Sequence, residues 1–258
     1  MTIQDLKGKR AIITGGSNGI GEAVVIQLLN DGAQVASLDL VEPKASRGDA
    51  FFHANLSTAE DIARGTELAI SHLGGVDILV NVVGGSNVPA GGPMMLEDSH
   101  WQSSFDLNLF PAVRMDRMVL PHMIRQRAGA IVHITSIARH LPLPESLLAY
   151  GAAKAALANY SKGLATYYAP MGIRVNAIAP GFIETAGSRK LVAEMAKASG
   201  QDFETTRTGL MNMLGGIPLG HPGTPADIGH MVSFLVSERA SFITGVEYMV
   251  DGGTRPTL

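Results

Sequence analysis

The chain has 258 residues, of which 46% are hydrophobic and 17% charged, and its formal net charge is -3 at pH 7. This length favours one α/β domain over two small ones, and so weak a charge gives no electrostatic preference for nucleic acids or membrane surfaces. The absence of cysteine excludes disulfides, thiol nucleophiles and zinc–cysteine sites, and it favours the reducing conditions of the cytoplasm.

No segment has the composition of a membrane span or a secretory leader. No apolar run approaches the roughly 18 residues that cross a bilayer. Lys7, Lys9 and Arg10 are followed only by the apolar run AIIT before glycines intervene, which is too short for a signal peptide. We therefore expect a cytoplasmic protein without membrane or nucleic-acid partners.

Short runs rich in Val, Ile and Ala alternate with helical patterns and are predicted strands. They cover residues 10–14, 34–38, 50–54, 76–80, 130–135, 173–178 and 246–250. Several are apolar without alternation, as expected of strands that helices cover on both faces. The pattern therefore predicts a doubly wound α/β fold with a seven-stranded parallel sheet.

Two helix starts are recognisable from their capping residues. Ser57 and Glu60 form a capping-box pattern, and Thr224, Pro225 and Asp227 place a cap, a first-turn proline and an acid in order. Each set precedes a run of apolar residues at helical spacing. We therefore predict helices that begin at these two points.

Two long connections, residues 84–93 and 182–223, each follow a predicted strand. In open α/β sheets, ligands bind at the carboxyl ends of the strands. We expect these connections to form the walls of the binding site, with residues 182–223 as the substrate loop.

The first predicted strand runs into the glycine-rich sequence TGGSNGIG, residues 14–21, and then into a helical pattern. Such a loop lets a pyrophosphate approach the amino terminus of the helix. An ordinary tight turn is the alternative. The same letters fit the G-x-S-x-G nucleophile elbow of serine hydrolases at Ser17, but only one strand precedes Ser17, and the elbow takes an oxyanion amide from a loop after an earlier strand.

Asp39 follows the second predicted strand, 18 residues after Gly21. A carboxylate there would accept hydrogen bonds from ribose hydroxyls and repel a 2′-phosphate. No Arg or Lys lies in the glycine loop or directly after Asp39, since Lys44 and Arg47 come later. These residues favour NAD over NADP, although Asp is also a common turn residue at strand ends.

Tyr150 and Lys154 are four residues apart in a helical stretch of leucine, alanine and glycine, so they share one helix face. A free phenol has a pKa near ~10, and lowering it by ~2 to 3 units requires roughly 3 to 4 kcal/mol. One ammonium at ~4 Å supplies about 4 kcal/mol at an effective dielectric of ~20. The pair therefore suits proton transfer, whereas alone it would more simply be a surface pair whose polar ends reach water.

Further polar residues accompany this pair. Ser136 ends the fifth predicted strand 14 residues before Tyr150, and Asn108 lies in a helical segment. Thr14, Gly15, Gly19 and Gly21, then Asp39, then Asn108, Ser136, Tyr150 and Lys154 resemble, in order and spacing, the motifs of the short-chain dehydrogenase/reductase family. The resemblance covers nearly the whole chain.

The resemblance implies a single Rossmann-type NAD(P)-binding oxidoreductase domain over residues 1–258, a nicotinamide cofactor, an alcohol or ketone substrate and usually a homotetramer. Two segments depart from the family pattern. Residues 81–84 are Asn-Val-Val-Gly where the family has Asn-Asn-Ala-Gly, and Asn55 replaces the usual Asp after the third strand. An Asn side chain still offers an acceptor to the adenine amino group.

The resemblance places cofactor contacts in the glycine loop, at the ends of the second to fourth strands, at the Tyr–Lys pair and after the sixth strand. These residues are Gly15, Ser17, Asn18, Gly19, Ile20, Gly21, Asp39, Leu40, Asn55, Leu56, Asn81, Gly84, Tyr150, Lys154, Pro180, Gly181, Ile183 and Thr185.

The resemblance also implies the catalytic roles. Tyr150 would exchange a proton with the substrate oxygen, Ser136 would hydrogen-bond to that oxygen, and Lys154 would hold the nicotinamide ribose. Asn108 would position a water that connects Lys154 with solvent. The eight histidines form no H-E-x-x-H motif, so no metal site is expected.

The substrate is less defined. Apolar side chains in or near the pocket loops favour an apolar or mixed substrate, or else form loop core; they are Met94, Met95, Leu141, Leu143, Phe182, Met211 and Met213. Arg139 and His140 either meet a polar group or face water. An NADPH-dependent 3-oxoacyl carrier-protein reductase and a dinucleotide-binding sensor without turnover are the alternatives to an NAD-dependent alcohol dehydrogenase or ketone reductase.

Overall fold

A parallel sheet of seven strands forms the centre of the protein. The computed structural model describes residues 5–86, 88–89, 91–145, 147–213 and 215–256. The strands are β1 Arg10–Thr14, β2 Gln34–Asp39, β3 Ala50–His53, β4 Ile78–Asn81, β5 Gly129–Ile134, β6 Ile173–Pro180 and β7 Glu247–Val250. The seven predicted strands and the doubly wound fold are therefore confirmed.

Helices cover both faces of the sheet. They are α1 Gly19–Asn30, α2 Ala59–Leu73, α3 Asp98–Asn108, α4 Phe110–Gln126, α5 Leu148–Tyr168, α6 Ala186–Ser199, α7 Phe203–Met213 and α8 Pro225–Val236. Among the described residues, none of these helices combines the length and the apolar character that crossing a bilayer requires.

The strand order is β3-β2-β1-β4-β5-β6-β7, so the direction of winding reverses between β1 and β4. Ligands of open α/β sheets bind at such a reversal, beyond the carboxyl ends of the strands. The glycine loop follows β1 and the Val82–Val83 segment follows β4, so both lie at this point of the sheet.

The hydrophobic core consists of two layers, one on each face of the sheet. Successive residues of a strand point to opposite faces, and Ile12 and Ile13 of β1 illustrate this, since each belongs to a different layer and both are fully buried. Burying such a side chain contributes roughly 1.5 to 3 kcal/mol. Packing of the side chains in these two layers fixes the positions of the strand ends.

The two predicted helix starts have different outcomes. Helix α8 begins at Pro225 as predicted, and the Thr224 amide donates to Asp227 Oδ2 at 2.7 Å. The capping box at Ser57 is wrong, because α2 begins at Ala59 with Thr58 as its N-cap. The Ser57 amide and hydroxyl instead donate to Asn55 Oδ1 at 3.1 and 2.7 Å.

The two long connections also differ. Residues 182–223 are largely helical, since they contain α6 and α7. The first connection lies against the loop before α5, where the Gly91 amide donates to the Glu145 carbonyl at 2.9 Å. Asn87 and Ala90 of the first connection and Leu214 of the second lie outside the described residues.

Candidate active site

A cleft of about 270 Å³ lies at the carboxyl ends of β4, β5 and β6. It is lined by Ser136, Tyr150 and Lys154 of the predicted catalytic residues. The predicted cofactor residues that also line it are Ile20, Gly84, Pro180, Gly181, Ile183 and Thr185. The structure therefore brings together residues that are far apart in the sequence.

Tyr150 and Lys154 lie on α5 as predicted, with Lys154 Nζ 5.8 Å from the centroid of the Tyr150 ring. The Lys154 side chain is almost fully buried and donates to the Ile134 carbonyl at 2.8 Å. A Cβ on Gly84 would lie 2.7 Å from Lys154 Nζ and from Asn108 Oδ1. The absence of a side chain at Gly84 therefore leaves room for Lys154 Nζ.

Burial dominates the ionisation of this pair. Desolvation lowers the pKa of Lys154 to about 7 and raises the pKa of Tyr150, against the opposing effect of a hydrogen bond with Ser136. Burial and Ser136 set the direction of the Tyr150 shift, and the lowering of the phenol pKa by Lys154 stays a prediction. The Tyr150 phenol is therefore protonated near neutral pH.

Ser136 follows β5 and precedes a short 3-10 turn, Ile137–Arg139. Its hydroxyl accepts a hydrogen bond from the Ala138 amide at 3.1 Å, so Ser136 caps this turn. Because the same hydroxyl lines the cleft beside Tyr150, the conformation of the turn decides where the hydroxyl points.

Asn108 is the last residue of α3 and is buried. Its Oδ1 accepts from the Gly85 amide, and its Nδ2 donates to the Gly85 carbonyl, both at 2.9 Å. A third hydrogen bond goes to the Ser104 carbonyl. Asn108 therefore fixes the segment after β4, next to Lys154.

The glycine loop is built for close backbone contact with an anion. A Cβ on Gly21 would lie 1.9 Å from the Gly15 carbonyl oxygen, so only glycine fits where the loop enters α1. The N-cap residue Asn18 makes no side-chain capping bond, which leaves the first amides of α1 available. The buried Ser17 hydroxyl also has no partner. These groups fit the phosphates of a dinucleotide.

The same observation argues against the serine-hydrolase alternative. A nucleophilic serine needs a base within hydrogen-bond reach. Because the Ser17 hydroxyl contacts no hydrogen-bonding group of the described residues, nothing there activates it.

Asp39 ends β2 beside the glycine loop. Its Oδ2 accepts from the Ser17 amide at 3.0 Å and its Oδ1 from the Val41 amide at 3.2 Å. Ser17, Asn18 and Gly19 line a second cleft of about 260 Å³, and Thr185 lines both clefts. The two clefts therefore adjoin, as an extended ligand would require.

The remaining predicted cofactor residues lie around these clefts. Leu40 is exposed, and the Leu56 side chain is buried in the core beneath the sheet edge. Asn81 donates to Asp116, while its buried Oδ1 has no partner. The Asn55 side-chain oxygen binds Ser57, so the Ser57 hydroxyl would compete with an adenine amino group for that acceptor.

Sequence reasoning missed the position of Arg47. Its guanidinium donates to the Gly16 carbonyl at 2.6 Å and pairs with Asp49 at 2.9 Å, and both side chains are buried. Lys44 lines the second cleft. The only clue in the sequence was an Arg and an Asp two residues apart, and nothing indicated that this loop folds back onto residues 14–21.

Of the seven apolar residues predicted near the substrate, Phe182 lines the first cleft, whereas Met94 is 97% exposed. Arg139 and His140 neither meet the cleft nor face water freely, because both bind the carboxylate of Glu247. No local pattern connects Arg139 and His140 with Glu247, which lies more than 100 residues further along the chain.

Comparison with known proteins agrees with this geometry. A family profile described as enoyl-(acyl carrier protein) reductase matches residues 15–255. An uncharacterised oxidoreductase of Schizosaccharomyces pombe is 35% identical over 96% of this chain and 91% of its own. The 3-oxoacyl-[acyl-carrier-protein] reductase of Staphylococcus epidermidis is 34% identical over 95% and 98% of the two chains.

Two solved structures are also similar. L-sorbose reductase from Gluconobacter frateurii, complexed with NADPH and L-sorbose, superposes with a TM-score of 0.89 at 31% identity over 99% of this chain and 100% of its own. The aldohexose dehydrogenase of Thermoplasma acidophilum gives a TM-score of 0.88 at 27% identity over 99% and 97%.

Proposed function

Because the chain belongs to the short-chain dehydrogenase/reductase family and is an oxidoreductase of that type, we propose that it transfers a hydride between NAD and a secondary alcohol or ketone. The observation that carries the proposal is the cleft in which Ser136, Tyr150 and Lys154 meet, next to the glycine loop. A bound nicotinamide supplies the hydride acceptor or donor.

The chain's own residues would hold the dinucleotide along the two adjoining clefts. The α1 amides and Ser17 would bind the phosphates, and Asp39 would bind the adenosine ribose. Asn55 and Leu56 would contact the adenine, and Leu56 would do so through its backbone. Gly84, Lys154 and the segment from Pro180 to Thr185 would surround the nicotinamide riboside.

Proton transfer would take place at Tyr150 Oη. The raised pKa of Tyr150 keeps the phenol protonated, as a donor to a carbonyl oxygen must be. Ser136 Oγ would hydrogen-bond to the same oxygen and stabilise the charge that develops on it. Asn108 would keep the strand end next to Lys154 in place, and residues 182–223 would cover the substrate.

The preference for NAD rests on Asp39, whose carboxylate would repel a 2′-phosphate. Arg47 and Lys44 oppose it, since both lie near the glycine loop. The Arg47 charge is compensated by Asp49 at 2.9 Å, so Lys44 is the cation that opposes Asp39 at this end of the cleft. The alternative, an NADPH-dependent 3-oxoacyl carrier-protein reductase, has support from the S. epidermidis relative.

Titration with NADH and NADPH, followed by a panel of secondary alcohols, ketones and 3-oxoacyl thioesters, tests the proposal. We expect tighter binding of NADH and turnover of a ketone or alcohol. Preference for NADPH with turnover of a 3-oxoacyl thioester would favour the alternative enzyme. Binding without turnover of any substrate would favour a sensor. We also propose a homotetramer, which light scattering would show as about four times 27.1 kDa.

Tyr150→Phe should lower kcat by about 10²- to 10⁴-fold, the usual contribution of a positioned acid or base, while the Kd for the dinucleotide changes by less than about 3-fold. Tyr167→Phe is the matched control, because Tyr167 is exposed on the same helix, and it should keep full activity. Near-normal turnover by Tyr150→Phe would contradict the assignment.

A further inference from the structure

Glu247, the first residue of β7, gathers three side chains from the segment that carries Ser136. Its carboxylate accepts from the Thr135 hydroxyl at 2.7 Å, from Arg139 Nε at 2.8 and 2.9 Å, and from His140 Nε2 at 2.9 Å. Thr135 directly precedes Ser136, and Arg139 and His140 follow it by three and four residues. One carboxylate therefore holds the segment on both sides of Ser136.

The sheet makes this contact possible. Glu247 is in register with Ala177 of β6, and Ala177 is in register with His133 of β5. Because alanine has a small side chain, the Glu247 side chain reaches across β6 to the end of β5. The Glu247 side chain is only 11% exposed, so water competes little for these hydrogen bonds.

The same turn also packs against α5. A Cβ on Gly151 would lie 2.8 Å from the Ala138 carbonyl oxygen, so the turn touches the backbone of α5 directly after Tyr150. Because Glu247 and α5 both contact the turn, it has little freedom to move. The relative position of the Ser136 and Tyr150 hydroxyls depends on both contacts.

Glu247 suits this position as a charged group. Burial alone would raise its pKa, but hydrogen bonds from Arg139, Thr135 and His140 outweigh burial and hold the pKa below its ordinary value. Hydrogen bonds to a charged acceptor are stronger than those between neutral groups. An amide of the same size would present donors to Arg139 and His140, which themselves donate.

We propose that Glu247 is a positioning residue for the reaction: by holding Thr135, Arg139 and His140 it fixes the Ser136 hydroxyl against the substrate oxygen. This inference rests on the proposed function, since it requires that Ser136 contacts the reacting oxygen. It adds a residue from the far edge of the sheet, 111 positions after Ser136.

Glu247→Gln should lower kcat about 10-fold, which corresponds to the loss of roughly one charged hydrogen bond. The Kd for the dinucleotide should change by less than about 2-fold, because the Glu247 hydrogen bonds go to Thr135, Arg139 and His140 and not to the glycine loop. Glu238→Gln is the matched control, since Glu238 is exposed and pairs with Lys9, and it should leave kcat unchanged. An unchanged kcat in Glu247→Gln would overturn the inference.

A double-variant cycle separates positioning from general structural support. If Glu247 acts through Ser136, adding Glu247→Gln to the Ser136→Ala variant should lower kcat by less than about a further 2-fold. Multiplicative losses in the double variant would overturn the inference. Full activity of Ser136→Ala alone would instead contradict the proposed function, so the two failures are distinguishable.

Thr135→Val provides a second route should Glu247→Gln fold poorly. It removes, at nearly constant volume, the hydroxyl that donates to Glu247 at 2.7 Å and also lies 2.9 Å from the Ile178 carbonyl, and it keeps the Glu247 contacts with Arg139 and His140. We expect kcat to fall about 3-fold with an unchanged dinucleotide Kd, since one neutral donor is lost. No change in kcat would count against the inference even if Glu247→Gln could not be measured.

Discussion

At the scale of single residues, Lys154 shows the cost of placing a cation in the core. Its side chain is buried among groups that offer one hydrogen bond, to the Ile134 carbonyl. Desolvation lowers its pKa to about 7, which means that the folded protein stabilises the neutral amine over the ammonium. A side chain so disfavoured by its surroundings is typical of functional sites.

The stability of Lys154→Met should depend on pH in a defined direction. The unfolded chain keeps Lys154 protonated up to about pH 10.5 and the folded chain only up to about pH 7, so folding releases a proton between these values and the stability of the wild type rises with pH. Below about pH 7 the penalty is fully present. We therefore expect Lys154→Met to be more stable than the wild type by about 2 kcal/mol near pH 7, after allowing for the lost hydrogen bond.

Urea denaturation at several pH values would measure this difference, which should shrink as the pH rises above 7 and change sign toward about pH 10, where the charge penalty is gone and only the lost hydrogen bond remains. Lys162→Met, which removes an exposed lysine from the same helix, serves as the control and should change stability by less than about 0.5 kcal/mol at pH 7. A Lys154→Met variant that is less stable than the wild type at pH 7 would contradict the argument.

At the scale of secondary-structure elements, the transition from β1 to α1 is the tightest turn of the site. Gly21 lies where the first turn of α1 passes the Gly15 carbonyl. Any side chain there must push the helix away from the loop, and the helix amides would move with it. The close contact at the start of α1 therefore also sets the position of the amides that would bind an anion.

Gly21→Ala should weaken dinucleotide binding by at least about 10-fold and destabilise the protein by about 1 to 3 kcal/mol, the usual cost of overpacking. Gly163→Ala in α5 is the matched control, because a Cβ at Gly163 meets no atom within 4 Å. It should leave binding intact and stabilise the helix by up to about 1 kcal/mol. Fluorescence titration and thermal unfolding would measure both, and equal effects of the two substitutions would contradict the steric account.

The strands were predictable because each is a short apolar run whose pattern is local. The seven predicted strands agree with the structure, apart from small shifts such as the start of β4 at Ile78 instead of residue 76. The capping residue of α2 was not predictable, because Ser57 and Thr58 both suit an N-cap and the choice depends on Asn55, whose side chain binds Ser57. Local sequence patterns therefore do not locate an N-cap to within one residue.

The site was predictable where its residues follow strand ends or share a helix face. Ser136 and Asp39 were identifiable because they follow predicted strands, and Tyr150 and Lys154 because they share a helix face. Arg47 and Glu247 were not, because their contacts with Gly16 and Arg139 join segments that are distant in sequence and adjacent only in the folded chain. The balance of pKa effects at Tyr150 also depends on burial, which only the folded structure provides.

At the scale of the whole molecule, a buried polar network joins the sheet to the helix layer that carries the site. Asp116 of α4 accepts from Asn81 at the end of β4 and contacts His133 of β5, both at 3.0 Å. His133 in turn contacts Ser161 of α5 at 3.0 Å. The network thus connects β4 and β5 with α4 and α5, and α5 carries Tyr150 and Lys154.

Asp116→Ala should therefore lower the free energy of unfolding by about 3 to 5 kcal/mol, because it leaves the Asn81 amide and the His133 Nε2 buried without the carboxylate that each contacts. Asp116→Asn keeps one acceptor and should lose about half as much. Glu67→Ala, which removes an exposed carboxylate from α2, is the control and should change stability by less than about 0.5 kcal/mol. Urea denaturation measures all three, and a loss below about 1 kcal/mol in Asp116→Ala would mean that packing alone, without this network, holds α5 against the sheet.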